Sequence, residues 1–174
     1  MSKRVIFSAL LTLGLMLPAA SALAVPPTQL AMAHHDTTMK NKELVLGFYK
    51  DILNGKKLEQ MKDYFTEDVV DHDPMMGDMV GFAKVSESMT DFLKGFPDLK
   101  VDVLRSAAEG DLVFVHIRMQ GTNTGAMMGM PATGKKIDVN AIDIIRIKDG
   151  KCAEHWMEMN SVAMMQQLGL MQGH

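Results

Sequence analysis

Residues 136–160 read KIDVNAIDIIRIKDGKCAEHWMEMN. Lys136 to Ile147 is dense in isoleucine and valine and predicts a strand. Asp149-Gly150 is a strong turn signal. Cys152 to Asn160 then predicts a last strand. Successive side chains on a strand point to opposite faces. Cys152, Glu154, Trp156, Glu158 and Asn160 therefore share one face, and Ala153, His155, Met157 and Met159 the other. Upstream, Leu112 to Met119 predicts another strand, with Phe114, His116 and Arg118 opposite Val113, Val115 and Ile117. Leu99, Val101 and Val103 alternate before it, and Gly121 to Gly134 reads as a long loop. Ahead of Pro97 the period becomes helical. Phe82, Val85, Met89 and Phe92 predict a helix to about Gly95, and Leu44, Phe48 and Ile52 another that stops at Asn54-Gly55. Lys57 to Phe65 predicts a short helix, Val69 to Asp73 a short strand stopped by Pro74, and Val162 to Leu170 a closing helix. Helices first and a strand meander afterwards define an α+β pattern, with helices on one face of a curved antiparallel sheet.

The chain has 174 residues, the size of one domain. Its 18 Lys+Arg stand against 21 Asp+Glu. That balance, with no basic block, argues against a nucleic-acid partner, because phosphate contacts need a clustered basic surface. Cys152 is the only cysteine, which excludes an internal disulfide and any multi-cysteine metal site. The unusual entry in the composition is methionine, with 18 residues.

Lys3 and Arg4 precede a greasy stretch from Val5 to Leu17, and Ala22-Leu23-Ala24 follows Pro18. A basic start, a short apolar centre and an A-x-A site predict a secretory signal peptide over residues 1–24, cleaved after Ala24. As a helix the apolar stretch spans about 20 Å, too short for a bilayer core. The expectations are a periplasmic or secreted protein, free of the membrane after cleavage, with a flexible lead-in over residues 25–40 and a single domain over 41–174.

A curved sheet that encloses a pocket would supply an apolar cavity with a few polar groups, the usual form of a small-molecule site. The face of the last strand with its only tryptophan, two carboxylates and an amide is the candidate wall, joined by Phe114, His116 and Arg118. His72 lies on one side of its strand, with Asp71 and Asp73 on the other. Nucleophile-elbow, zinc-protease and phosphate-loop motifs are absent from the sequence. Methionines cluster at 75–79, 127–130, 157–159 and 164–165. Thioethers are soft ligands that select Cu(I). They also fill irregular cavities around bulky apolar ligands, and their dispersal over four segments favours that second role, with no metal required.

The ordered motifs carry a resemblance. Asp71-His72-Asp73-Pro74, Phe96-Pro97-Asp98, Gly110-Asp111-Leu112-Val113, Gly121-Thr122-Asn123-Thr124-Gly125, Gly129-Met130-Pro131-Ala132-Thr133-Gly134, Arg146 to Lys151, Glu154-His155-Trp156 and Gln167-Leu168-Gly169 resemble the SnoaL-like polyketide or ester cyclases. This family belongs to the nuclear-transport-factor-2-like superfamily. The resemblance covers about residues 45–170. It implies a cone-shaped α+β barrel, a curved antiparallel sheet wrapped around about three helices, with the ligand inside. It further implies an intramolecular aldol condensation without metal or cofactor, an aspartate acting as acid/base. Cones of this type pair through their sheets, so a homodimer is an expectation. The family aspartate falls four residues after the tryptophan, where this chain has Asn160, and a family histidine falls at Asn123.

Two readings result. One is a cofactor-independent enzyme acting on an apolar carbonyl compound. His72 and Glu158 would be its acid/base groups, Asn160, His116 and Arg118 its polarising groups, and Phe114, Trp156 and Asn123 its substrate contacts. The other is a non-catalytic small-molecule-binding module with the same cone. A copper-binding protein using the methionine clusters is a third, more distant one.

Overall fold

The computed structural model describes residues 26–171. The signal-peptide reading and its cleavage site lie outside them. Helix α1 spans Pro27–Phe48 and continues as a π-helical turn over Tyr49–Asn54. A 3-10 turn (Leu58–Gln60), the one-turn helix α2 (Met61–Tyr64), strand β1 (Phe65–Asp73) and strand β2 (Gly77–Val80) follow. Then come α3 (Phe82–Gly95), β3 (Lys100–Glu109), β4 (Leu112–Thr122), β5 (Lys136–Lys148), β6 (Lys151–Met159) and α4 (Ser161–Gln167). Among the described residues no helix is long and apolar enough to cross a membrane.

The strands form one six-stranded sheet in the order β2-β1-β6-β5-β4-β3. It is open, with β2 and β3 as its edges. The expected antiparallel sheet is mixed, because β1 runs parallel to β6. The expected lead-in is helical instead: α1 starts at Pro27, and a proline suits the first helical position because its missing N–H would be unpaired there. Strand β2, read as loop, is four residues long, too short to show a period.

Alternation holds on the long strands. Val113, Val115, Ile117 and Met119 of β4 are buried, as are Ile137, Val139, Ala141, Ile145 and Ile147 of β5. These side chains line the concave face against α1 and α3. Val45, Tyr49 and Ile52 from α1 and its π-helical turn, and Val85 and Leu93 from α3, complete the core. Asn54 joins the π-helical turn to β3 by mimicking a strand neighbour. Its Oδ1 accepts the Val101 N–H and its Nδ2 donates to the Val101 carbonyl, both at 2.8 Å.

The long loop after β4 is organised by Asn123, which is 2% exposed. Its Nδ2 donates to the carbonyls of Gly95 and Gly125, and its Oδ1 accepts from the Thr133 N–H and hydroxyl. The loop packs so closely on the end of α3 that a Cβ at Gly125 would lie 2.1 Å from the Lys94 carbonyl oxygen. Asn123 is thereby a structural tie beneath the rim of the fold.

Candidate active site

The concave face and helices enclose a cavity of about 170 Å³. Its walls are mostly thioethers and aromatic rings. Met119, Met157, Met159, Met164 and Met89 come from β4, β6, α4 and α3. Met75, Met76 and Met128 join them from loops, the last two partly exposed at 43% and 36% and so marking the rim. Members of all four methionine clusters, dispersed in the sequence, share this cavity. Phe48, Tyr64, Phe65 and Phe92 supply ring surface.

Its polar groups come from the strand face opposite to the expected one. Asp71 of β1 and His155 of β6 are partners in the parallel ladder. That register brings Asp71 Oδ1 to 2.8 Å from His155 Nδ1. On the other side of β6, Asp143 of β5 faces Met157, one position along the cavity face from His155. Asp143 Oδ1 lies 3.5 Å from His155 Nε2, an ion-pair contact too poorly aligned to be a hydrogen bond. Asp143 Oδ2 accepts the hydroxyl of Tyr49. Tyr49 opens the π-helical turn, and such turns inside helices recur at functional sites because the extra residue re-aims a side chain.

The result is a buried chain, Tyr49–Asp143–His155–Asp71. Asp143 is 3% exposed, whereas 20% of the His155 side chain and 13% of the Asp71 side chain stay accessible toward the cavity. Burial alone would lower the His155 pKa, but the two carboxylates outweigh it and push it up to about 10. The ring is a cation at neutral pH, and both its nitrogens carry protons. Burial, then the Asp143 charge, holds the Tyr49 hydroxyl well above its ordinary value, so it is a proton donor in the chain. Burial, reinforced by Asp71, pushes the Cys152 thiol up to about 12, leaving it un-ionised. Asp71 Oδ2 has no hydrogen-bond partner among the described residues.

None of the sequence-predicted site residues lines this cavity. Phe114, His116 and Arg118 project from the convex face, where Arg118 forms a two-pronged ion pair with Asp138. Trp156 and His72 do come together, but outside: their rings stack at 5.2 Å between centroids. His72 bridges Asp78 at 2.8 Å and Glu154 at 3.2 Å, and Arg146 lies 5.7 Å over the Trp156 ring while pairing with Glu154 and Asp111. Glu158 is exposed on the same outer face. Asn160 has left the strand and caps α4, its Oδ1 accepting the Ala163 N–H at 2.9 Å. The alternation was right and the choice of inner face was reversed. A bulge at Ala153 also moves Cys152 from the Trp156 face to the cavity face.

The missed residues carried a signal. Asp143 is the lone carboxylate in the row Ile137, Val139, Ala141, Ile145, Ile147, and a charge at an apolar phase position marks a buried polar site.

The profile of the SnoaL-like polyketide cyclase family matches residues 43–168, and this chain belongs to that family. Among solved structures it is similar to the SnoaL-like protein of Jannaschia sp. CCS1. The identity there is 22% and the TM-score 0.71, over 78% of this chain and 95% of that one. It is similar to AclR of Streptomyces galilaeus at 27% identity and a TM-score of 0.68, over 78% and 99%. An LEH-like epoxide hydrolase of M. tuberculosis shares the fold at 12% identity and a TM-score of 0.63, over 77% and 92%. Among curated proteins none matches the chain. The family model places the chain with the SnoaL-like polyketide cyclases, and the solved structures share its fold.

Proposed function

We propose that this protein is an exported, cofactor-independent enzyme that moves a proton on an apolar carbonyl compound, with Asp71 as the acid/base group. The observation that carries this is the Asp71–His155 pair at the wall of an apolar cavity, with one oxygen of Asp71 held and the other free. The base must lie within hydrogen-bond reach of the carbon it deprotonates, and Asp71 lines the cavity with Oδ2 unpartnered among the described residues. The N–H groups of the protonated His155 face Asp71 and Asp143, so it acts through its positive charge, which favours the negative charge that develops on an enolate oxygen nearby. Asp143 and Tyr49 hold the ring charged and oriented from behind. An intramolecular aldol condensation, as in the family's cyclases, needs this set and no metal. The export reading rests on residues 1–24.

A binding module with no proton transfer is the second reading. His155 favours it, because a ring protonated at neutral pH cannot itself take a proton, which leaves the base role to the lining carboxylates. A second copy of the chain is proposed to pair through the convex sheet face. There Ile142 is 47% exposed, in register between His116 and Glu158.

The test is deuterium exchange at the α-carbon of phenylacetone in D₂O, followed by proton NMR. Exchange above the buffer rate that falls about 10²–10⁴-fold in Asp71→Asn supports the enzyme. Exchange at the buffer rate, or unchanged in that variant, leaves the binding module.

A further inference from the structure

We propose that the cavity selects an apolar organic cation, a small aromatic or alicyclic amine, and rejects anions of the same shape. The proposal names the charge class of the ligand and rests on the reading of this cavity as a ligand site.

The lining is one-sided in charge. Asp71, Asp73 and Asp143 line the cavity, and among the described residues no Lys or Arg does. Among the described residues His155 is the only lining cation, so three carboxylates share one positive ring. Asp71 and Asp73 are two residues apart on β1, so they share a face about 7 Å apart along it. Asp73 Oδ1 is used by the N–H groups of Met75 and Met76, both at 2.7 Å, and Asp71 Oδ1 by His155. The second oxygen of each has no partner among the described residues. Asp143 draws on the same cation: it is 3% exposed, its Oδ1 lies 3.5 Å from His155 Nε2 and accepts no aligned hydrogen bond, so one ring is shared between two carboxylates.

Buried negative charge without a matching cation is costly, and a ligand that brings the cation removes that cost. The rest of the wall suits such a ligand. The ring faces of Phe48, Tyr64 and Phe92 are electron-rich and attract cations. The thioethers of Met89, Met157 and Met159 are polarisable and adapt to a ring. A cavity of about 170 Å³ holds one ring with a short arm, since about 150 Å³ admits benzene. The rim carboxylate Asp73 would meet the ammonium on entry and Asp71 would hold it inside. A carboxylate or phosphate ligand would meet like charge with no compensating donor except His155.

The experiment is isothermal calorimetry at pH 7 on the purified chain with three shape-matched probes: 2-phenylethylamine, 2-phenylethanol and phenylacetate. The amine should bind about tenfold tighter than the alcohol, and phenylacetate weakest. Asp73→Asn, which keeps an Oδ1 for the Met75 and Met76 N–H groups, should cut the amine's advantage about threefold and leave the alcohol within about twofold. Asp71→Asn should abolish the advantage. Equal binding of amine and alcohol, tightest binding of phenylacetate, or an advantage unaltered in both variants would overturn the proposal. In each of these cases α-carbon exchange is free to persist, so the enzyme reading is judged separately. Binding of none of the three overturns the proposal together with the ligand-site reading on which it rests.

Discussion

Asp71 and His155 are partners across the parallel β1–β6 ladder, with 2.8 Å between Oδ1 and Nδ1. Parallel strands need no local connection, and here 84 residues separate the two side chains in sequence. The pair exists only because β1 inserts between β2 and β6, so site and topology form together. Asp143, on the neighbouring antiparallel strand, closes the ring from its other edge.

His155→Gln should destabilise the protein by about 3 kcal/mol, since removing one member of a buried charge set strands the others. The loss should depend on pH with a defined sign. The folded ring titrates at about 10, above the 6.5 of a free imidazole. Its contribution is therefore fully present below about pH 6.5 and is lost as pH rises through about 10. Urea unfolding of wild type and variant from pH 6 to pH 10 should show the two stabilities converging. A gap that widens with pH would show that the ring is neutral in the folded protein.

Tyr49→Phe removes the only hydrogen bond that the Asp143 carboxylate makes among the described residues. A buried acceptor left unpaired costs about 1–3 kcal/mol. Urea unfolding should show a loss in that range while the far-ultraviolet spectrum is kept. A variant as stable as wild type would mean that the Asp143 carboxylate does not depend on the hydroxyl.

The element order was legible because period two and period 3.6 are strong over long runs, as on β5 and α3. The family motifs placed the cavity inside the cone. The side of the sheet was not legible from β6 alone, because both of its faces mix polar and apolar groups. Trp156 drew attention to the wrong one. It is held outside by His72 and Arg146, partners from β1 and β5 that β6 does not reveal. The neighbouring β5 settles the side, since its apolar row is unbroken except at Asp143. A methionine-rich wall was hidden in the same way, because its members come from separate elements and meet only in the fold.

Asn123→Ala should cost about 2–4 kcal/mol, because one buried amide serves two carbonyls and two donors at once. The loop from 123 to 134 would lose its tie to the end of α3, and Met128 stands on that loop at the rim. Limited proteolysis should therefore cut within 124–133 in the variant and spare wild type. Equal resistance would show that Gly95 and the packing of Gly125 hold the loop without the amide.

Asn160→Asp and Glu158→Gln test which face of β6 carries the chemistry. Asn160 caps α4 through its side-chain oxygen, and aspartate caps as well as asparagine does. The Asp variant should keep its stability within about 0.5 kcal/mol and should gain no α-carbon exchange. Asn160→Ala, which removes the cap, should lose about 1 kcal/mol. Glu158 is exposed on the convex face, so Glu158→Gln should leave both exchange and amine binding unchanged. If Asn160→Asp instead raises exchange above wild type, the residue reaches the substrate and the inner wall must extend past the end of β6. If Glu158→Gln lowers exchange, the convex face takes part in the reaction, and the assignment of the base to Asp71 falls.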